Sequence, residues 1–350
     1  MTIEENQVSN MIHLSFLMIQ LQFSHPNQKY TLEYIFLCLI DFCVSGCCFM
    51  KHYKASSTTH VRTGKNIDPI SGKYLNELHN KFVRRGYYEE LNKDILEAYL
   101  KNGREEKLRI QSIDTSFIAN KRGSVENNIK IVIPKKSNQK QRKRARKGTT
   151  IQIKAKKQSK ETRVKKQSKE TIVKKQTKVN EAIEEKTIDF NRYNGRKKYF
   201  KISTITDSKG ITLATTIISS KRSDNVSIEE TMEKIPVNLN TLRNSKINRY
   251  QQYFLADSGY DSNFNRSLLK SRGYIPIIAT NKRNCKDENK LKQKEMIPKH
   301  KILYKQRGKI ETTFSHIKHY PVLNQMYEKK VESYHGLLLL MTTFYIFKKI

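Results

Sequence analysis

Residues 253–279 read YFLADSGYDSNFNRSLLKSRGYIPIIA, and this order of apolar and polar residues predicts a strand, a helix and a second strand. Tyr253–Ala256 is a short apolar run that ends at Asp257 and predicts a strand. Asn263–Ser271 reads as a helix, and Ile275–Ala279 is again a β-rich run. Strands that alternate with helices are typical of α/β domains, in which the helices pack against the sheet.

The segments upstream extend this pattern into a larger sheet. Leu108–Ile113 predicts a strand that ends at Asp114. Lys201–Asp207 and Ile211–Ile218 are β-rich runs separated by a short turn sequence, and together they predict a hairpin. The whole order predicts an α/β domain with a mixed central sheet and flanking helices.

The last predicted helix, from Tyr304 to Lys318, carries a stripe of polar residues. Tyr304, Arg307, Glu311 and Lys318 are separated by steps of three, four and seven residues, which at about 100° per residue place all four within roughly a 60° arc. Such a stripe suits the binding of metal and phosphate. It is also compatible with a solvated face that carries an Arg307–Glu311 ion pair. Gly308 costs about 1 kcal/mol relative to alanine in a helix, so packing or a close approach of DNA is expected to favour it.

Three carboxylates stand out by position. Asp114 and Asp257 follow predicted strands, and Glu311 lies on the polar stripe. Two Mg²⁺ ions about 3.5–4 Å apart need several carboxylate oxygens to bridge them and offset their charge. A rigid sheet that holds two aspartates, with a helix that brings the third acid, would suit a two-metal phosphoryl-transfer site.

Other polar residues receive a structural interpretation. Asp207 fits the geometry of the hairpin turn. Asp224 and Asp261 are expected to cap or bend the chain. His316 and His319, beside the stripe, are expected to face solvent or DNA.

The chain has a large excess of positive charge. Its 350 residues carry 68 Lys and Arg against 33 Asp and Glu, a formal charge of +35, which implies a polyanionic partner such as nucleic acid. A basic proteome or a membrane-surface protein is the alternative. The stretch Lys135–Lys178 holds 19 basic and 2 acidic residues, hence 19 − 2 = +17, and contains KKQSKE twice. It lacks aromatic residues, so we expect a disordered or frayed segment that either grips the DNA backbone or is a low-complexity insertion without a role.

The first hundred residues predict short helices. The apolar run Leu32–Phe49 is interrupted by Glu33 and Asp41, which favours a buried helix over a membrane span. Two further apolar stripes end at Gly86 and Gly103, as helices often do. This pattern fits either a helix-turn-helix that binds DNA or a plain helical bundle.

Several local motifs resemble those of a known family. Leu255–Ser262 (LADSGYDS) and Arg272–Ile277 (RGYIPI) resemble the second-aspartate block of the DDE transposases of bacterial insertion sequences. The spacing of the stripe resembles the Y-(2)-R-(3)-E-(6)-K motif of families four and five of those elements. Similar blocks are Ile113–Ser116 (IDTS) with Lys121–Gly123 (KRG) for the first aspartate, and Gly195–Lys198 (GRKK) before Lys201 for the hairpin.

The resemblance covers about 106–134 and 190–345, and it implies an RNase H-like fold in a transposase. Asp114, Asp257 and Glu311 would be the catalytic residues that bind two Mg²⁺ (or Mn²⁺) ions. Tyr304, Arg307 and Lys318 would contact phosphate near the cleaved end. The implied reaction is cleavage at the element ends and joining of the freed 3′-hydroxyl to target DNA.

The implied partners are double-stranded DNA with terminal inverted repeats, target DNA and a second copy of the chain in the DNA complex, with no membrane partner. The implied location is the cytoplasm or nucleoid, or the nucleus for a eukaryotic host or virus. The expected domains are a helical, DNA-binding region 1–105 and a DDE catalytic domain 106–350, interrupted by the basic insertion 135–187. An inactive or domesticated transposase that only binds DNA, or a different RNase H-like nuclease, remains an alternative.

Overall fold

The computed structural model describes residues 30–55, 58–59, 66–101, 103–121, 128–129, 185–186, 189–190, 198–235, 251–281 and 296–350. The main sheet is built on five strands: β1 (Ile110–Asn120), β2 (Lys198–Thr206), β3 (Thr212–Ser219), β4 (Gln252–Ala256) and β5 (Tyr274–Ile278). They lie in the order β5-β4-β1-β2-β3. β1, β4 and β5 are parallel, and β2 runs antiparallel to β1 and β3. This order is that of an RNase H-like fold, so the predicted mixed sheet with flanking helices is confirmed.

Two short strands extend this sheet. Asp189–Phe190 pairs with β2, and Gln325–Met326 pairs with the end of β1. The predicted hairpin is confirmed as β2 and β3, and its turn is closed by Gly210 at a φ of 81°. Asp207 serves the turn as predicted, because its carboxylate accepts hydrogen bonds from the backbone N–H groups of Lys209 and Ile211, each 2.8 Å long.

The prediction that the first strand ends at Asp114 is wrong. β1 begins at Ile110 and continues to Asn120, so Asp114 lies inside it. Its second half remains in the sheet because it pairs with β2 along its length, from Ser112 to Ala119. Its pairing with β4, in contrast, stops at Ile113. Asp114 therefore lies at the level where the neighbouring strand β4 ends.

Helices flank the sheet in the remaining described ranges. They are α1 (Leu32–Val44), α2 (Gly72–Arg85), α3 (Tyr87–Lys101), α4 (Arg104–Leu108), α5 (Ser227–Glu233), α6 (Asn263–Ser271), α7 (Pro298–Tyr304), α8 (Gly308–His319), α9 (Pro321–Asn324) and α10 (Val331–Phe347). The apolar stripe of α1 is buried, and α2 ends at Gly86 with a φ of 71°. No helix among the described residues is long and apolar enough to cross a membrane.

The helix α10 joins the N-terminal helices to the sheet. Asn92 on α3 donates a 2.8 Å hydrogen bond to Thr343, and the ring of Tyr334 packs edge-on against Phe200 on β2. Gly336 allows close packing here, since an added Cβ would lie 2.7 Å from Val83. Most of α10 is buried around its whole circumference, as expected of a helix between two layers.

The predicted helix Tyr304–Lys318 is not one continuous α-helix. α7 ends at Tyr304, a 3₁₀ turn covers Lys305–Arg307, and α8 begins at Gly308. Residues three apart eclipse each other in a 3₁₀ turn, which brings Arg307 over Tyr304. α8 ends at His319, and the next residue has extended backbone before Pro321.

The chain divides into two compact units. One comprises Met1–Asn127 and Thr187–Ile350, and the other is Asn128–Lys186. In the second unit, Asn128–Ile129 pairs antiparallel with Glu185–Lys186. The basic stretch Lys135–Lys178, for which a disordered insertion is predicted, lies outside the described residues.

Candidate active site

The parallel pairing of β1 with β4 brings Asp114 and Asp257 side by side. Ile113 pairs with Ala256, so Asp114 and Asp257, which follow them in the chain, lie at the same level of the sheet. β4 ends there, whereas β1 continues. Asp114 is therefore a strand residue, and Asp257 begins the loop beside it.

Local backbone groups orient both carboxylates. The N–H of Thr115 donates to Asp114 Oδ1 over 2.8 Å, and the N–H of Ser258 donates to Asp257 Oδ1 over 2.7 Å. Asp257 thereby caps the 3₁₀ turn Ser258–Tyr260. Asp114 is partly buried and Asp257 is exposed, so the pair lies at the boundary between the protein and solvent.

Arg307 connects the first aspartate to the predicted third acid. Its Nη1 donates to Asp114 Oδ2 over 2.8 Å, and its Nη2 donates to Glu311 Oε1 over 3.4 Å. The side chains of Arg307 and Asp114 are only 19% and 23% exposed, whereas that of Glu311 is 67% exposed. Exposed ion pairs contribute little to stability, so the contact with Asp114 is the one that fixes Arg307.

Burial and charge shift the ionisation of these groups. Burial raises the pKa of the Asp114 carboxyl, an effect that the N–H of Thr115 and the Arg307 guanidinium oppose and that Asp257 reinforces. Burial lowers the pKa of Arg307, but the attraction of Asp114 and Tyr304 outweighs it, so that pKa is raised. The two shifts have the direction expected for a partly desolvated ion pair beside a second carboxylate.

Tyr304 lies beneath Arg307 and against the sheet. Its side chain packs on a cluster formed by Ile110, Tyr253 and neighbouring apolar residues. The guanidinium carbon of Arg307 lies 5.9 Å from its ring centre, which is within cation–π range. Burial raises the pKa of the Tyr304 hydroxyl, which keeps it a neutral hydrogen-bond donor.

Lys318 lies further along α8 than the other stripe residues. Seven residues separate it from Glu311, or about 10 Å along a helix. It is half-buried, and burial lowers the pKa of its ammonium group. The structure thus gathers Tyr304, Arg307 and Glu311 around the aspartates and leaves Lys318 one helical repeat away.

The hairpin turn supports the helix that carries Glu311. Lys309 Nζ donates a 2.5 Å hydrogen bond to the carbonyl oxygen of Ser208. An added Cβ at Gly210 would lie 3.3 Å from the carbonyl oxygen of Lys309, so the turn approaches α8 closely. The position of Glu311 thus depends on the turn between β2 and β3.

Three further polar residues lie beside the aspartates. Asp224, which is predicted to cap or bend the chain, accepts hydrogen bonds from the side chains of Thr115 and Lys201. The sequence analysis assigns neither Thr115 nor Lys201 to the site. A sequence signal for a buried ion pair here is Lys201, the charged residue at the start of the otherwise uncharged run KISTIT in β2. His316, which is expected to face solvent or DNA, is exposed and packs its ring against Tyr345 with ring centres 4.9 Å apart.

The chemistry of the donor set suits a hard divalent cation, whereas its three members are not gathered around one point in the described structure. Asp114, Asp257 and Glu311 offer carboxylate oxygens, the ligands that Mg²⁺ and Mn²⁺ prefer. Arg307 already places a positive charge between two of these carboxylates. Within the described parts of the chain, no group of three or more His, Cys, Asp or Glu side chains is arranged closely enough to hold a metal ion.

Comparison with known proteins gives one family match. Residues 182–346, slightly under half of the chain, match the family described as "Transposase DDE domain". This part of the chain is therefore similar to the catalytic domain of DDE transposases. The matched part contains Asp257, the polar stripe and most of the sheet, whereas Asp114 precedes it. No curated protein sequence matches the chain.

Among solved structures, the chain is similar to complexes of the Mos1 transposase. "Crystal structure of the Mos1 mariner paired end complex with Mn" is 10% identical at a TM-score of 0.22, with 69% of this chain and 63% of that chain covered. "Crystal structure of a pre-cleavage Mos1 transpososome" is 9% identical at 0.23, with 74% and 72% covered. The chain spans less than two thirds of the first of these structures.

Proposed function

We propose that this protein cleaves DNA at the ends of its transposable element and joins the freed 3′-hydroxyl to target DNA. The observation that carries the proposal is the placement of Asp114 beside Asp257, with Arg307 joining Asp114 to Glu311. This arrangement lies in a chain whose residues 182–346 match a transposase domain.

Asp114, Asp257 and Glu311 are the proposed ligands of two divalent ions, Mg²⁺ or Mn²⁺. When bound, such ions activate the attacking oxygen and stabilise the leaving oxygen of a displacement at phosphorus. The protein's own contribution is to fix one carboxylate on β1 and a second just after the neighbouring strand β4, and to bring the third on a helix braced by the hairpin turn.

Arg307, Tyr304 and Lys318 are the proposed phosphate contacts. The planar guanidinium of Arg307 is already used as a two-pronged donor, a geometry that also matches phosphate oxygens. Tyr304 adds a neutral hydroxyl donor beside it. Lys318, about one helical repeat along α8, is placed to contact a phosphate further from the cleaved bond.

The proposed partners are double-stranded DNA with terminal inverted repeats, target DNA and a second copy of the chain. The charge of +35 supports a polyanionic partner. We propose action in the nucleoid-containing cytoplasm, or in the nucleus of a eukaryotic host. The N-terminal region 1–105 is the proposed DNA-binding part, and 106–350 the catalytic domain with its insertion at 135–187.

The test uses the full-length protein with a DNA fragment that carries both flanks of its gene. We expect Mg²⁺-dependent nicking at the fragment's terminal repeats and joining to a second DNA. Glu311→Gln should lose both reactions and retain DNA binding. Glu332→Gln, an exposed carboxylate at the start of α10, is the matched control and should stay active.

The remaining outcomes separate the other functions. Cleavage without joining would identify a nuclease. DNA binding without cleavage by the unaltered protein would identify a transposase-derived binding protein. A Glu311→Gln variant as active as the unaltered protein would exclude Glu311 from the site.

A further inference from the structure

A short 3₁₀ turn, Asp224–Val226, lies beside both the strand that carries Asp114 and the loop that begins at Asp257. On one side, the Thr115 hydroxyl donates a 3.0 Å hydrogen bond to Asp224 Oδ1. Thr115 directly follows Asp114 and orients its carboxylate through the backbone N–H. Asp224 is therefore hydrogen-bonded to the residue that directly follows the first aspartate.

On its other side, the same turn contacts the loop that begins at Asp257. An added Cβ at Gly259 would lie 3.6 Å from Asp224 Oδ2. The buried amide of Asn265 donates to the carbonyl oxygens of both Asn225 and Tyr260, over 2.9 and 3.0 Å. The turn is thus fixed both to β1, through Thr115, and to the loop that begins at Asp257.

A buried lysine holds Asp224 in place. Lys201 Nζ donates to Asp224 Oδ1 over 2.9 Å and to the carbonyl oxygen of Arg222 over 2.8 Å. The Lys201 side chain is only 8% exposed. The Asp224 side chain is 35% exposed, and its carboxylate compensates the buried charge of Lys201. Removing Asp224 would leave that buried ammonium group without its partner.

A simple capping role does not account for these contacts. The residue before the turn, Ser223, makes no side-chain capping bond, and the Asp224 carboxylate points to Thr115 and Lys201 on two different strands. These partners precede it by 109 and 23 residues. The carboxylate therefore serves tertiary structure beside the site.

We propose that Asp224 is a positioning residue that sets the spacing of Asp114 and Asp257 through Thr115 and the Gly259 loop. This proposal rests on the proposed function, in which those aspartates bind divalent ions. Removal of a residue that holds metal ligands in place commonly changes metal affinity about 10- to 100-fold.

The experiment measures Mn²⁺ binding to the full-length protein by calorimetry, together with thermal unfolding and the Mn²⁺ dependence of DNA cleavage. We expect Asp224→Ala to weaken Mn²⁺ binding about tenfold or more. Asp224→Asn should lie between it and the unaltered protein, because the amide oxygen still accepts from Thr115. DNA binding without metal should be unchanged.

The matched control is Asp41 on α1, whose carboxylate accepts a 2.6 Å hydrogen bond from the Tyr53 hydroxyl. Asp41→Ala should lower thermal stability and leave Mn²⁺ affinity intact. If Asp224→Ala fails to fold, Thr115→Val removes the hydrogen bond to Asp224, and Thr115→Ser keeps it. We expect weaker Mn²⁺ binding in the valine variant and recovery in the serine variant.

Two results overturn the proposal in distinguishable ways. If Asp114→Ala loses Mn²⁺ binding while Asp224→Ala and Thr115→Val bind it normally, the positioning role is wrong and the metal site stands. If Asp114→Ala and Asp257→Ala bind Mn²⁺ as the unaltered protein does, the metal site itself is misplaced, and the positioning role is overturned along with the proposed function.

Discussion

The hydroxyl of Thr313 donates a 2.6 Å hydrogen bond to the carbonyl oxygen of Gly210. Thr313 lies two residues after Glu311 on α8, and it is buried. Gly210 closes the turn between β2 and β3. Thr313, together with Lys309, therefore ties the helix that carries the third acid to the hairpin of the sheet.

Thr313→Val should destabilise the protein by about 1–3 kcal/mol, because it leaves the Gly210 carbonyl without this partner. It should also slow DNA cleavage, by up to about 100-fold if Glu311 shifts by an ångström. Thermal unfolding and cleavage assays measure the two effects. Thr313→Ser retains the hydroxyl and should restore both; a serine variant as impaired as the valine variant would contradict this explanation.

Arg307→Lys should weaken binding to pre-cleaved DNA ends about tenfold or more, although the charge is retained. Lysine cannot reproduce the two-pronged geometry of the guanidinium, and charge-assisted hydrogen bonds contribute about 1.5–3 kcal/mol each. Filter binding at fixed salt measures the change. Arg272→Lys is the control, since within the described ranges the guanidinium of Arg272 makes a 4.0 Å contact with the exposed Glu233. Equal binding by both variants would argue against a phosphate contact at Arg307.

Stability should fall as the pH drops from about 6.5 towards 4. Burial lowers the pKa of His79 from 6.5 to about 4, and the ring contacts the Tyr88 hydroxyl and the Ser333 carbonyl oxygen. The unfolded chain binds the proton more readily, so the stabilisation is complete above pH 6.5 and is lost as pH approaches 4, with a cost on the order of 3 kcal/mol.

Thermal unfolding at pH 7.5 and pH 5 measures this loss. His79→Gln should reduce the pH dependence, whereas His52→Gln, at an exposed position, should not. An unchanged difference between the two pH values in His79→Gln would assign the pH dependence to other groups.

Deletion of residues 135–178 should weaken DNA binding and reduce its dependence on salt. The deletion removes a charge of 19 − 2 = +17, and the salt slope falls by nearly one for each DNA phosphate that the protein no longer neutralises. Binding to random-sequence DNA across a salt series is the appropriate measurement. If the slope stays the same, the stretch does not touch the DNA.

Much of the sheet could be predicted from the sequence, because its local signals agree with the fold. The hairpin has β-rich runs on both sides of a turn that needs Asp207 and Gly210, and the helix Asn263–Ser271 has the predicted bounds. The strand containing Asp114 could not be delimited, because its second half is held by β2, which lies more than 75 residues further along the chain.

The site could be predicted only where its residues lie close in sequence or match a known motif. Tyr304, Arg307 and Glu311 share one segment, although no local signal marks the 3₁₀ turn between them. Packing and a close approach of DNA are the two expected reasons for Gly308. Among the described residues, an added Cβ there would meet nothing within 4 Å, so none of them explains this glycine by close packing. The role of Asp224 depends on distant partners, and a single sequence does not reveal such pairings.

The helix α10 has a consequence for the order of events during synthesis. Because it packs against the N-terminal helices and against the sheet, neither layer has its complete apolar partner until the ribosome has made residues 331–347. A chain that stops before Val331 would expose the buried faces of both layers. We expect such fragments to be degraded rather than to occupy DNA ends, so that only finished chains compete for them.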